Sequence, residues 1–261
     1  IGDRVGVAWI SGACGKCEYC AAGYENLCND FIATGRDRNG GYAELMAVEE
    51  RYAYPIPETF SDEQAAPLLC AGAIGYRSLR LADLNDGQVL ALSGFGASGH
   101  LVLKTAKFLY PKSRFFVFAR NKEEQQFALQ LGCNWAGDYS SKPPALAHAV
   151  IDTTPAWKPV LASLSILKPG GRLVINAIRK ESHDQQGLAS IDYGQHLWME
   201  KEIKSVANIT RTDVEAFLKI AAEIPIKPEV EIYPFEKANQ ALIDLRRKHV
   251  RGAKVLVLGR Q

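Results

Sequence analysis

Between residues 72 and 206 the apolar positions follow two alternating rhythms. VLALSGF (89–95), RFFVFA (114–119), AVIDT (149–153) and RLVINAI (172–178) are short apolar runs that read as buried strands. Between them lie SGHLVLKTAKFLY (98–110), NKEEQQFALQLG (121–132) and WKPVLASLSIL (157–167), where apolar residues return at helical spacing. Gly132 ends the second of these, and Pro169-Gly170-Gly171 stops the third. KSVANI (204–209) adds a further candidate strand. Such alternation predicts a parallel, doubly wound α/β sheet.

The flanks differ in texture. In residues 1–66, GDRVGVAWI (2–10) alternates as a strand does. GGYAELMAV (40–48) reads as a turn at Gly40-Gly41 followed by another strand, and Pro55 and Pro57 bound a connection. In the tail, Thr212 and Glu215 have capping-box spacing at the head of TDVEAFLKIAAE (212–223). FEKANQALIDLRRK (235–248) is a second amphipathic helix, and AKVLVL (253–258) a closing strand. The 261 residues therefore divide into a β-rich domain, 1–71 with 207–261, and an α/β domain, 72–206.

Charge removes some partners from consideration. Thirty-one basic and 29 acidic residues leave a net charge of +2 with no basic stripe, so neither nucleic acid nor an anionic membrane is expected as partner. The apolar runs are too short to span a bilayer, and no secretory signal is visible, so a cytoplasmic location is expected. The chain starts at Ile1 without a methionine, which leaves room for an upstream segment.

Four of the six cysteines, Cys14, Cys17, Cys20 and Cys28, fall within residues 12–28. Disulfide frameworks belong to small secreted scaffolds. Two C-x-x-C hooks that share a cysteine, with a fourth after a seven-residue loop, suit a closed tetrahedral thiolate cage for a structural Zn²⁺. Lys16, between the sulfurs, reads as a solvated loop residue.

Gly94-Phe95-Gly96-Ala97-Ser98-Gly99 is G-x-G-x-x-G placed between a predicted strand and helix, the context in which the pattern binds a dinucleotide. Gly94 permits the turn, Gly96 lets backbone approach a diphosphate, and Gly99 allows the helix to pack close. The diphosphate would meet the free N–H groups and positive dipole of the helix start. The next strand ends in Ala119-Arg120, where an acidic residue would bind the ribose 2′-hydroxyl of NAD. A small residue followed by arginine leaves space and countercharge for a 2′-phosphate, so NADP is the preferred cofactor and NAD a possible one.

GDRV, the C-x-x-C-x-x-C-x₇-C lobe, GGYAE, APLLCAG, the glycine loop and the LKPGGR turn occur in this order, and together resemble the zinc-containing medium-chain alcohol dehydrogenases. The resemblance covers nearly the whole chain. It implies a Rossmann domain joined to a GroES-like catalytic domain that is incomplete here. It implies interconversion of small alcohols with aldehydes or ketones by hydride transfer to and from NAD(P), in a dimer or tetramer. It matches Cys14, Cys17, Cys20 and Cys28 to the structural-zinc ligands and Cys70, in PLLCAG, to a ligand of the catalytic zinc. That zinc would act on the substrate oxygen as a Lewis acid. The residues alone would make Cys70 a small buried apolar side chain. By the same resemblance Ser98 lies behind the nicotinamide, Asn176, Ala177 and Ile178 flank its carboxamide, and Arg251 reaches the pyrophosphate.

The family's other catalytic ligands, a Cys and a His, precede GDRV, so residues 1–261 are expected to bind cofactor and structural zinc without turning over alcohol. None of His100, His148, His183, His196 and His249 is a natural replacement, and surface or packing roles are expected for them. Cys133 reads as core filler. The residues leave two rival functions. One is a zinc-free quinone or enoyl reductase with the same cofactor domain, against which the cysteine lobe and PLLCAG count. The other is a zinc module for protein or nucleic-acid interaction, which lacks the basic surface such binding needs.

Overall fold

The structure is a computed structural model that describes residues 1–224, 226–247 and 252–259, with backbone alone at 247. It divides into two compact units, Ile1–Ile74 with Ala207–Gln261, and Gly75–Val206.

The first unit is built from short strands. β1 (Val5–Val7) and β2 (Ile10–Gly12) divide the predicted first strand. α1 (Glu18–Ala21) lies inside the cysteine lobe, and β3 (Ile32–Ala33) and β4 (Ala53–Pro55) follow it. β1 pairs antiparallel with β4, and β2 with β3. GGYAELMAV forms no strand. It has no ladder partner among the described residues, and Tyr42 and Leu45 are 65% and 89% exposed. An alternating pattern predicts a strand only if backbone N–H and C=O groups find a neighbour to pair with.

α2 (Asp62–Pro67) opens on a capping box between Ser61 and Gln64. It runs through a wider, π-type turn at Leu68–Gly72 into α3 (Ala73–Ala82).

The second unit continues with β5 (Val89–Ser93), α4 (Ala97–Leu109), β6 (Arg114–Phe118), α5 (Lys122–Gln130) and β7 (Trp135–Gly137). β8 (Ala147–Asp152), α6 (Lys158–Ser165), β9 (Leu167–Ile175) and β10 (Glu202–Ser205) complete it. All six strands are parallel, in the order β10-β9-β8-β5-β6-β7. In chain order this is the doubly wound 3-2-1-4-5-6 arrangement of the Rossmann fold. Every residue of β5 is buried, as expected of a central parallel strand covered on both faces. Val89, Ala91, Phe116, Phe118, Val150 and Leu173 pack with Val160 and Leu164 of α6 into one core cluster.

β9 starts five residues earlier than its apolar run predicts. α6 ends at Ser165, ahead of Pro169-Gly170-Gly171, which lies inside the strand instead of stopping the helix. Ala147 pairs with Leu167 and Ala149 with Arg172, so the Pro-Gly-Gly residues bulge out of the ladder. Gly170 donates its N–H to Met199 O at 2.8 Å.

α7 (Arg211–Glu223), β11 (Val230–Pro234), α8 (Ala238–Arg247) and β12 (Ala253–Val257) return to the first unit, where β11 and β12 pair in parallel. The cap of α7 lies two residues upstream of its predicted place. Thr210 is extended and accepts from Asp213 N at 3.2 Å, and the Asp213 carboxylate accepts from Thr210 N at 2.9 Å. Thr212 stands inside the first turn. The shorter Asp at N3 outcompeted the Glu that the spacing favoured, because the fully buried Asp213 is held by both Thr210 donors. No helix among the described residues is long and apolar enough to cross a membrane. Arg251 and His249 lie outside the described residues.

His148 bridges the sheet by accepting from Val89 N at 3.0 Å through Nδ1, with Lys168 Nζ 3.2 Å from Nε2. Burial, then the charges of Lys168 and Arg114, lower its pKa below 6.5. The unfolded chain therefore takes up the proton first as pH falls, and stability is lost below about pH 6.5. A melting temperature followed from pH 8 to pH 5 should fall less steeply in His148→Asn than in the parent chain. Separately, Thr210→Ala should cost about 1 kcal/mol in urea unfolding, while Thr212→Ala stays near zero. Equal losses would restore Thr212 as the cap.

Candidate functional site

The cysteine lobe gathers four sulfurs. The Sγ atoms of Cys14, Cys17, Cys20 and Cys28 all lie within 4.8 Å of one another, the one such metal-holding group among the described residues. Cys14 and Cys20 are 3.9 Å apart. Four Zn–S bonds of 2.3 Å in a tetrahedron place the sulfurs about 3.8 Å apart, so the donor set fits a zinc ion. None of the four is in a disulfide. Backbone N–H groups already point at the sulfurs: Cys14 N donates to Cys28 Sγ at 3.4 Å and Cys17 N to Cys14 Sγ at 3.3 Å. Backbone donors from Lys16 and Cys17 pull the Cys14 thiol down to about 6. Desolvation, together with the neighbouring sulfurs, pushes Cys20 up to about 12. Four thiols so close cannot all ionise unaided, and a divalent cation resolves the conflict. Lys16 is exposed. The lobe is tied down within its own unit, where Asn26 Nδ2 donates to Ala207 O at 2.8 Å and Arg211 pairs with Glu25 at 2.9 Å.

In the second unit the carboxyl ends of the strands surround a cavity of about 630 Å³. Its floor is the turn from β5 into α4. Gly94 has φ +85°, and a Cβ there would stand 2.7 Å from Thr153 Oγ1. A Cβ on Gly99 would stand 2.9 Å from Gly94 O, so the helix packs as closely as the motif predicts. At Gly96 a Cβ would meet no protein atom. The glycine there keeps open a space on the cavity side. α4 has no side-chain cap, so its first N–H groups remain available to an anion. Phe95, Ala97 and Ser98 complete this floor.

A second wall is Ala119 and Arg120 with Glu124 of α5. Ala119 is buried and held between β7 and α5: its N–H donates to Gly137 O at 2.9 Å, and its carbonyl accepts from Gln125 Nε2 at 2.8 Å. Arg120 is exposed. The opposite wall comes from Thr153–Ala156 after β8 and from Asn176, Glu181 and His183 after β9. Asn176 Nδ2 is buried without a partner among the described residues, an orphaned donor facing a polar site. Ala177 and Ile178 follow it, and Ile178 is 84% exposed.

The structure thus brings Gly94–Ser98, Ala119, Arg120 and Asn176 to one cavity. Cys70 belongs to the other unit, within the π-type turn Leu68–Gly72. It keeps solvent-accessible surface, although protein crowded around it raises its thiol pKa by desolvation. Among the described residues it joins no metal-holding group. Tyr139, Thr153, Thr154 and His183 are cavity residues that motif reading missed. A signal existed for Thr153 and Thr154, which follow the strand next to the glycine-loop strand, where ligands bind in open α/β sheets. Tyr139 and His183 lie in irregular segments that carry no such signal. His100 and His196 are buried and His183 is exposed at the cavity.

A glycine turn at the switch point of a doubly wound sheet defines a dinucleotide-binding α/β protein. Residues 1–58 match the family model "Alcohol dehydrogenase GroES-like domain". "Probable alcohol dehydrogenase AdhA" of Mycobacterium tuberculosis is 40% identical over 257 residues, which is 98% of this chain and 72% of that protein. The solved cinnamyl alcohol dehydrogenase of Sorghum bicolor aligns at TM-score 0.84 and 25% identity, over 98% of this chain and 74% of its own. CAD from Helicobacter pylori, complexed with NADP(H), shares the fold at TM-score 0.80 and 23% identity, over 99% and 75% of the two chains. The chain belongs to the zinc-containing, NAD(P)-dependent medium-chain alcohol dehydrogenase family.

Metal analysis of the purified chain should find about one zinc held by the four-cysteine lobe. Cys17→Ser should lower both zinc content and melting temperature, because structural zinc binding is coupled to folding. A metal-free, disulfide-bonded lobe would contradict this assignment.

Proposed function

We propose that this chain serves an NADP(H)-dependent oxidoreductase that interconverts small alcohols with aldehydes or ketones. The observation that carries this reading is the cavity itself, with its glycine turn at one end and Ala119-Arg120 beside it. Phe95, Gly96 and Ala97 present backbone N–H groups and the start of α4 to the diphosphate, while Gly94 makes the turn and spends its own N–H on Phe118 O at 2.9 Å. Arg120 stands where the second strand ends, free of the acid that would favour an unphosphorylated ribose. Ser98, on the first turn of α4, would lie behind the nicotinamide. Asn176, with Ala177 and Ile178, would hold the carboxamide, and the orphaned Asn176 Nδ2 is the donor suited to that task. When bound, the nicotinamide supplies the carbon that accepts or gives the hydride. The chain's own residues bind and orient that ring and limit water at the cavity wall.

Cys14, Cys17, Cys20 and Cys28 are proposed to hold a structural zinc, remote in sequence from the cofactor motif. Cys70 is proposed as one ligand of a catalytic zinc. No described Cys, His, Asp or Glu groups with it.

Fluorescence titration with NADPH and NADH tests the cofactor assignment. NADPH should bind more tightly, and Arg120→Ala should weaken NADPH by about 10- to 100-fold, the equivalent of ~1.5–3 kcal/mol for one charge-assisted contact. NADH should be almost unaffected. Equal loss of both cofactors would show that Arg120 does not read the 2′-phosphate.

A further inference from the structure

Below the cavity wall that follows β8 and β9 lies a buried ion pair that no cofactor motif contains. Asp152, the last residue of β8, is fully buried. Lys180, five residues beyond the end of β9, turns its ammonium inward to meet the Asp152 carboxylate, with only 9% of its side chain exposed. Lysine is seldom buried to this degree. Its three donors are all used. One goes to Asp152 Oδ2, one to Thr154 O at 2.8 Å and one to Ala156 O at 3.0 Å. The other carboxylate oxygen accepts from Ser93 Oγ at 2.6 Å and from Thr154 Oγ1 at 2.9 Å. Ser93 Oγ lies 3.1 Å from the hydroxyl of Tyr139, a cavity residue. One polar chain therefore crosses the carboxyl ends of β5 and β8 and the segments that follow β7 and β9.

We infer that Lys180 is a positioning residue of the dinucleotide site, locking the loop after β8 to the loop after β9 so that both form one wall for the nicotinamide half of the cofactor. The inference rests on the dinucleotide reading of the cavity given above. Two further ties join the same loops. Glu181 N donates to Pro155 O at 2.8 Å. Asp184 Oδ2 accepts from Trp157 N at 2.8 Å and Lys158 N at 2.9 Å at the start of α6. Thr154, Ala156 and Glu181 all face the cavity, so a shift of Lys180 moves cavity surface. Burying two charges gives little net stability over an apolar pair of the same size, and the gain is in a defined geometry. The halves of a doubly wound sheet bind the halves of a dinucleotide separately. Because β8 and β9 lie in the half opposite the glycine-loop strand's β6 neighbour, the lock should act on the nicotinamide half alone.

The test uses the double variant Asp152→Asn with Lys180→Met, which leaves no unpaired buried charge. Binding of NADPH, NADH and ADP-ribose is measured by calorimetry on the full chain, with melting temperature as the control. ADP-ribose carries the adenosine half and the diphosphate without nicotinamide. The tighter-binding nicotinamide cofactor should weaken by about five- to tenfold, as for one lost hydrogen bond, while ADP-ribose changes by less than about twofold. An equal loss for cofactor and ADP-ribose, or no loss for either, overturns the positioning role. Should the double variant not fold, Lys180→Arg keeps the charge but cannot bring three donors to one point, and it must show the same split at smaller size. An unchanged ratio in Lys180→Arg would also overturn it. If the parent chain binds neither the cofactors nor ADP-ribose, the cavity reading fails and this inference fails with it.

Discussion

The pairing of β5 with β8 is the contact on which the second unit depends. β5 runs beside β6 on one edge and β8 on the other, so the chain winds outward in both directions from one strand. The helices that follow β5 and β8 then leave in opposite senses, and a crevice opens between them at the carboxyl ends. Everything attributed to the cofactor follows from that opening. The glycine turn comes from one side of it and Thr153–Ala156 from the other, and close packing at Gly94 lets the two approach.

Burial makes the crevice specific. β5 and β8 carry apolar side chains almost throughout, yet Ser93 and Asp152 at their ends are fully buried and polar. Such groups persist in a core only when each finds partners. Here two of the partners, Tyr139 and Lys180, come from segments after other strands, so satisfying them also fixes where those segments run. Burial also pushes the Tyr139 hydroxyl up to about 12, so it stays protonated beside Ser93 throughout the working pH range. The cysteine lobe solves a different problem. Its helix has four residues, and its sulfurs repel one another as anions. Convergent backbone N–H donors, joined by the proposed zinc, would make such a loop rigid without a core of its own.

Local features of the chain were legible wherever the physics is local. The strand–helix alternation of 89–175, the glycine turn and the cysteine spacing all depend on neighbours within a few residues, and each stands in the structure at or near its predicted position. The apolar run predicts β6 to end at Ala119, one residue past its observed end at Phe118. Errors arose where two local signals competed or where a distant partner was required. Thr210 and Thr212 both precede plausible N3 acids, and burial of Asp213 chose between them. Pro169-Gly170-Gly171 carries a stop signal for a helix, but only the register against β8 shows that the strand had already begun. GGYAELMAV has the pattern of a strand and lacks the neighbour.

By itself, then, the sequence determined the kinds of element, the grouping of four cysteines in one lobe and the glycine turn between β5 and α4, because each is specified by residues adjacent along the chain. Tertiary structure alone decided the order of the strands, the far wall of the cavity and the burial of Asp152 against Lys180, 28 residues apart. Those features depend on which backbone groups and charges meet after folding. A buried carboxylate takes whichever donors the strand order brings to it, and spacing along the chain does not record that order.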